Sequence, residues 1–334
     1  ATGPARRFVV GNPDIQLIAV LAGETLGRMA AAEHLARQGE VVVDAATAEA
    51  LGDVLHVQEW RSDTRGGPCA VVAGLTRRPA FDVTAAAQIT AGASDLRPWV
   101  HDAVAERLAA GQGEFLTELR PAVALFLRFE GIEYDADEEA GHKLDRYIRW
   151  VQDVLAAYEG ILLQVTMGDK GSFLYAAFGA PVAHEDEARR AAQVALVLRE
   201  RPAKFGYISD VRIGISRGTM RTGMYGSTTR RTYGVLGEAT NLAARLMMGA
   251  KAGQVVASQP VQDATTRHFD WQPLGVMPVK GRAEPVAVWT LVGRRRQEGA
   301  HQAEPQHALP LVGRAAAQPF PIAGKHDQAL GRSG

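Results

Sequence analysis

The sequence predicts an α+β fold in which helices cover a mainly antiparallel sheet, and three observations carry the prediction. Between Val123 and Ser216, apolar runs of strand length alternate with runs of helix length in the order βαββαβ. The run from Asp137 to Tyr158 places apolar residues at 144, 148, 151, 155 and 158, a single stripe on a 3.6-residue repeat. Further strand-like segments follow near Met220, Tyr233 and Val255, with a last one at Pro285 to Val292, and these complete a sandwich.

In chain order, Phe8 to Gly11 reads as the end of a strand. Ile15 to about Arg37 reads as an Ala/Leu-rich helix, and Glu40 to Asp44 as a strand after the helix-stopping Gly39. From Ser62 to about Arg97, Gly66-Gly67-Pro68 and scattered Pro and Gly give short strands and connections, and Trp99 to Ala110 is helical. The third region holds strand Val123 to Phe129, helix Asp137 to Tyr158, strands Ile161 to Met167 and Phe173 to Phe178, helix His184 to Glu200 and strand Val211 to Ser216. After Gly293 the chain turns polar, and this tail is expected to be largely disordered. The expected organisation is a first unit over 1–61, a linker with some order over 62–117, a main domain over 118–293 and a tail over 294–334.

Composition narrows the function classes. The 334 residues are 46% hydrophobic and 22% charged, enough for a sizeable core. Formal net charge is zero, so no bulk electrostatic attraction to nucleic acid or to an anionic membrane is expected. One cysteine, Cys69, excludes an internal disulfide and a multi-cysteine zinc site, and fits a reducing cytoplasm. The longest apolar stretches are broken by Gln16, or by Gln152, Asp153 and Glu159, so no membrane insertion is expected. No secretion signal is read in Ala1 to Arg7. A strand-like segment begins almost at once without an initiator Met, as expected of a chain that starts inside a domain.

A weak internal repeat is also legible. Gly39-Glu40-Val41-Val42-Val43-Asp44 echoes Gly253-Gln254-Val255-Val256-Ala257-Ser258, and Glu59-Trp60 echoes Asp270-Trp271. Counting back without a gap sets Asn241 and Arg245 opposite Gly27 and Ala31, so the first copy lacks that polar pair.

The most informative stretch runs from Arg230 to Leu246. A β-rich run ending at Gly237 gives way to a helix on which Asn241 and Arg245 stand four residues apart, so an amide and a guanidinium share one face. That pair suits a phosphate; the alternative is two ordinary polar residues on an amphipathic surface.

Six separated segments decide between these readings: Glu118-Leu119-Arg120-Pro121, Met167-Gly168-Asp169-Lys170-Gly171, Phe178-Gly179-Ala180-Pro181, Ile213-Gly214-Ile215-Ser216-Arg217-Gly218, Gly237 to Arg245, and Val279-Lys280-Gly281. In this order they resemble the class III adenylyl and guanylyl cyclase domain, in particular the second cyclase domain of soluble tandem-domain adenylyl cyclases. The resemblance implies a ferredoxin-like βαββαβ cyclase homology domain, preceded by the back end of a first copy. It also implies conversion of ATP to cyclic AMP and pyrophosphate at a site shared between two head-to-tail domains. One domain holds two Mg²⁺ or Mn²⁺ ions through two aspartates, and the other supplies Asn and Arg. Asn241 is then expected to orient the ribose and Arg245 to stabilise charge at the α-phosphorus, while Lys280 binds the terminal phosphates or is a solvated lysine in a glycine turn.

At the metal positions Asp169 matches one aspartate, but Arg128 replaces the other and repels a divalent cation. No metal is therefore expected on this chain, and the metal is expected on a partner cyclase domain supplied in cis or in trans. The base-reading positions match Val165 and Gly234, neither of which offers a side-chain hydrogen bond. Leu311-Val312-Gly313-Arg314 resembles the entry to a P-loop ATPase domain, although no phosphate loop follows. The alternative function is a non-catalytic cyclase-like module that binds a nucleotide or anion or acts in an interaction. An RNA-binding βαββαβ domain lacks its aromatic signature on the strand Phe173 to Phe178.

Overall fold

The computed structural model describes residues 1–63, 67–77, 92, 96–111, 117–168, 171–227, 231–278 and 285–295. Asp169, Lys280 and the tail from 296 onward lie outside these residues. In chain order the elements are β1 (Arg6–Val10), β2 (Ile18–Ala22), α1 (Glu24–Leu35), β3 (Val42–Asp44), α2 (Ala45–Leu51), β4 (Leu55–Asp63), β5 (Gly67–Leu75) and α3 (Asp102–Ala109). The main domain follows with β6 (Glu118–Glu130), α4 (Ala140–Ala157), β7 (Ile161–Gly168), β8 (Gly171–Phe178), α5 (Glu187–Arg199), β9 (Asp210–Gly226) and β10 (Arg231–Leu236). It closes with α6 (Glu238–Gly249), β11 (Val255–Ser258), α7 (Gln259–Thr265), β12 (Phe269–Met277) and β13 (Val286–Arg294).

The main sheet runs β12-β13-β11-β9-β6-β8-β7, with β10 paired to β9. Every pairing is antiparallel except that of β11 with β9. Alternation along β6 divides the core into two layers. Val123, Leu125, Leu127 and Phe129 pack under α4 and α5 with Leu144, Ile148 and Leu198, whereas Ala122, Ala124 and Phe126 pack on the other face with Tyr175, Val235, Ala243 and Met247. β6 begins five residues earlier than its apolar pattern suggests. Glu118 to Ala122 pair with β9 alone, and a strand paired on one side tolerates Pro121.

The first region departs from the expected long helix. Ile18 to Ala22 form a strand, with Val20 and Ala22 buried and Leu21 exposed, and α1 begins only after Gly23, whose φ of 126° ends any helix arriving from upstream. The β1–β2 hairpin lies on α4, where Val10, Val20 and Ala22 join the core containing Leu144 and Val151. Gly141 on α4 leaves room for Phe8, since a Cβ there would stand 3.0 Å from the Phe8 ring. Asp145 Oδ1 accepts from Gly11 N at 2.8 Å, while Gln152 accepts from Asn12 N and donates to the Gln16 carbonyl, each at 2.7 Å. The sheet β3-β5-β4 continues past residue 61 to Leu75, so the short strands expected after Ser62 are the end of β4 and the whole of β5.

The repeat extends to element order. The hairpin β1–β2, then α1, β3, α2, β4 and β5, follows the same course as the end of β9 with β10, then α6, β11, α7, β12 and β13. Strand orders β3-β5-β4 and β11-β13-β12 match. Both long helices have 12 residues, start after a glycine, Gly23 or Gly237, and end at an extended alanine, Ala36 or Ala250.

Candidate active site

Helix α6 is seated directly on the sheet because β9 presents glycine beneath it. A Cβ at Gly214 would stand 2.1 Å from the Ala243 carbonyl oxygen and 2.3 Å from Met247 N, and one at Gly218 would stand 3.0 Å from Ala239 Cβ. One helix face, Ala239, Ala243 and Met247, packs on that layer, and a second, Leu242 and Leu246, packs with Val256, Val286 and Val288. The third carries Asn241, Arg245 and Met248, four and three residues apart, with Asn241 exposed and Arg245 half-buried. The helix start is fixed by the Val235 carbonyl, which accepts from the Tyr175 hydroxyl at 2.7 Å and from Thr240 Oγ1 at 3.2 Å.

Beside α6 an aromatic floor spans the neighbouring strands β6 and β8 and is buried under the helix. Phe126 stacks on Tyr175 with ring centroids 4.5 Å apart, and Phe173 lies 6.2 Å from Phe126. Burial pushes the Tyr175 hydroxyl well above the usual phenol range, so it remains a donor. On β7, Gln164 and Thr166 pair with Tyr175 and Phe173, and their side chains are joined by a 2.8 Å hydrogen bond.

Val165 is turned away from this floor. Alternation from Ile161 would place it there, but a register shift between Leu162 and Gln164 reverses the strand's facing, and Val165 is buried in the core layer under α4 and α5. Gly234 sits opposite Gly223 in the β9–β10 hairpin under the Tyr225 ring, where a Cβ would lie 2.1 Å from Tyr225 Cε1. Sequence reading passed over the floor. The alternation of Phe126 with Leu127 and of Phe173 and Tyr175 with Leu174 was the available signal.

Arg128 follows Phe126 on the same face of β6. It ion-pairs with Glu130 at 2.5 Å, while its Nε is buried with no hydrogen-bond partner among the described residues. Directly across the ladder stands Arg212, paired at 2.6 Å with Asp210. Two guanidiniums side by side do not fit a divalent cation. Among the described residues no three His, Cys, Asp or Glu side chains form a group that could hold a metal.

The turn after β8 ties the linker to this domain. The Pro181 carbonyl accepts from Arg107 of α3 at 2.7 Å and from Arg120 of β6 at 2.9 Å. No described helix is long and apolar enough to cross a membrane.

Comparison with known proteins identifies the class. Residues 148–293, within the main domain, match the family described as Adenylate and Guanylate cyclase catalytic domain. Human adenylate cyclase type 10 is 33% identical over 135 residues, which are 40% of this chain and 8% of that protein. Adenylate cyclase 1 of Rhizobium meliloti (strain 1021) is 30% identical over 166 residues, covering 47% of this chain and 24% of that protein. This chain therefore spans a minor part of the relatives it matches. The adenylyl cyclase CyaB from P. aeruginosa shares the fold, with a TM-score of 0.50 at 23% identity over 55% of this chain and 99% of that structure.

Proposed function

We propose that the main domain is the Asn/Arg-bearing half of an adenylate cyclase site, which converts ATP to cyclic AMP and pyrophosphate when paired with a metal-binding cyclase domain. The observation that carries the reading is the outward stripe of α6: its other two faces are buried, so Asn241 and Arg245 are held rigidly towards a partner. The named relatives favour ATP as substrate. In this reading Asn241 orients the ribose, and Arg245 offers its guanidinium to the charge that builds on the α-phosphate as the 3′-oxygen adds and pyrophosphate leaves. Lys280, outside the described residues, would hold the terminal phosphates.

Divalent metal, which in this family lowers the hydroxyl pKa and neutralises phosphate charge, does not fit beside Arg128 and Arg212; Mg²⁺ or Mn²⁺ would belong to the partner domain. Residues 1–61 are read as the back end of a first cyclase domain and 118–293 as the second, and the site would work in the cytoplasm.

A second reading, a non-catalytic module, is favoured by Arg128 alone, because a fixed guanidinium can serve an anion without turnover. The deciding assay is cyclic AMP formation from Mn²⁺-ATP by the chain alone and mixed with a cyclase domain that carries both metal aspartates. Activity only in the mixture, reduced by 10² to 10³ or so in Arg245→Ala, supports the half-site. Silence in a folded, associated mixture supports the module.

A further inference from the structure

The described part of the linker, residues 96–111, is pinned at two points and hollow between them. Leu17 N donates to the Pro98 carbonyl at 2.6 Å, and Arg107 donates to the Pro181 carbonyl at 2.7 Å. Between these bonds His101, Val104 and Leu108 stand three and four residues apart, so they form one stripe along α3. That stripe does not close on a packed core. It borders a cavity of about 270 Å³, walled on the far side by Ile161 and Leu163 of β7 and by Met224 and Tyr233 of the β9–β10 hairpin. An apolar helix stripe ordinarily buries itself against its neighbours, and one that borders open space forgoes those contacts; Leu108 is 40% exposed.

Charge on the walls is sparse and of one sign. Burial holds the His101 imidazole below its ordinary value and the Tyr233 phenol above its own, so both are neutral near pH 7. Arg231 lines the cavity, is exposed at its mouth and makes no ion pair among the described residues. The charged groups around Tyr233 are already engaged: Arg107 and Arg120 serve the Pro181 carbonyl, and Arg120 is paired with Glu118. One free guanidinium at the mouth of an apolar cavity selects a molecule with one negative charge on an otherwise apolar body. Its fork matches a carboxylate, and the volume lies below the roughly 300–1,000 Å³ usual for drug-sized ligands, so the occupant is compact.

We propose that this cavity is a binding site for an aromatic or branched apolar monocarboxylate, whose body lies between α3 and β7 and whose carboxylate meets Arg231. Neither Asn241 nor Arg245 lines it, so the site is separate from the outward stripe of α6. The ligand braces α3 against β10, the strand that runs on through Val235 into α6.

The test is isothermal titration of the full chain with phenylacetate and with its neutral counterpart phenylacetamide, in the wild type, Arg231→Gln and Leu108→Trp. Saturable one-site binding of phenylacetate is expected in the wild type. Arg231→Gln is expected to weaken phenylacetate by about 10-fold or more and to leave phenylacetamide unchanged. Leu108→Trp fills the cavity and is expected to abolish binding of both with an unchanged melting temperature; Val104→Phe supplies the block from deeper in the wall if the tryptophan variant melts early. Hydrogen exchange with phenylacetate bound is expected to slow over residues 102–109 and 231–236. No saturable binding by the wild type, equal weakening of both probes in Arg231→Gln, binding left intact by the filled variants, or unchanged exchange in both segments overturns the site. Binding and exchange are read without cyclic AMP formation, so the site stands or falls apart from the half-site reading.

Discussion

The Tyr175 hydroxyl reaches the Val235 carbonyl at 2.7 Å, joining β8 to the end of β10 just before α6. The same carbonyl takes Thr240 Oγ1, so one oxygen fixes both the approach to the helix and its first turn. The position of Asn241 and Arg245 depends on it.

Tyr175→Phe keeps the ring stack on Phe126 and removes this bond. A loss of about 1 kcal/mol in urea unfolding is expected, since Thr240 still serves the carbonyl. In the mixed cyclase assay kcat is expected to fall several-fold with KM little changed, because the lost bond loosens the seat of the helix that carries Asn241 and Arg245 while the ring packing beneath it survives.

Gly214→Ala drives a methyl group into helix backbone. With the Ala243 carbonyl and Met247 N both within 2.3 Å of the new atom, α6 must lift. The expected cost is about 3 kcal/mol or more, read as a fall in melting temperature. Gly218→Ala meets only a side-chain methyl and is expected to cost less.

Gln152 is 1% exposed and bonded at both ends to the turn of the first hairpin. Gln152→Leu leaves Asn12 N and the Gln16 carbonyl without those partners, a cost of about 1–3 kcal/mol. Hydrogen exchange is expected to quicken over residues 6–22 while the strands β6 and β9 keep their protection.

Acid is expected to loosen the first region. Burial alone would raise the Asp44 carboxyl, but hydrogen bonds from the Thr47 and Arg28 side chains and from the Thr47 and Thr2 backbone bring it from 3.8 down to about 2. A depressed carboxylate stabilises the fold above its ordinary value and loses that contribution as pH falls towards 2. Thermal melts between pH 5 and 2 should therefore decline in the native chain, and decline less steeply in Asp44→Asn, which starts lower.

Legibility in the sequence followed periodicity. Helices α4 and α5 and strands β7 and β8 were readable to within a few residues, because their stripes and alternation coincide with burial. The first region misled because Ile18 to Ala22 and the alanines of α1 make one apolar run in which only Gly23 marks the break. At the site, the outward facing of Asn241 and Arg245 followed from their spacing on one helix. The facing of Val165 did not, since a single bulge after Leu162 reverses every residue beyond it and leaves no compositional mark. The aromatic floor required knowing which strands are neighbours, and β6 and β8 are far apart in sequence.

Head-to-tail contact between like domains is open-ended: each added domain exposes a fresh donor and a fresh acceptor, and such contacts grow into rings or filaments unless something stops them. On α4 of this chain the hairpin β1–β2 already occupies the helix, held there through Gln152 and Asp145, so that surface is filled from within.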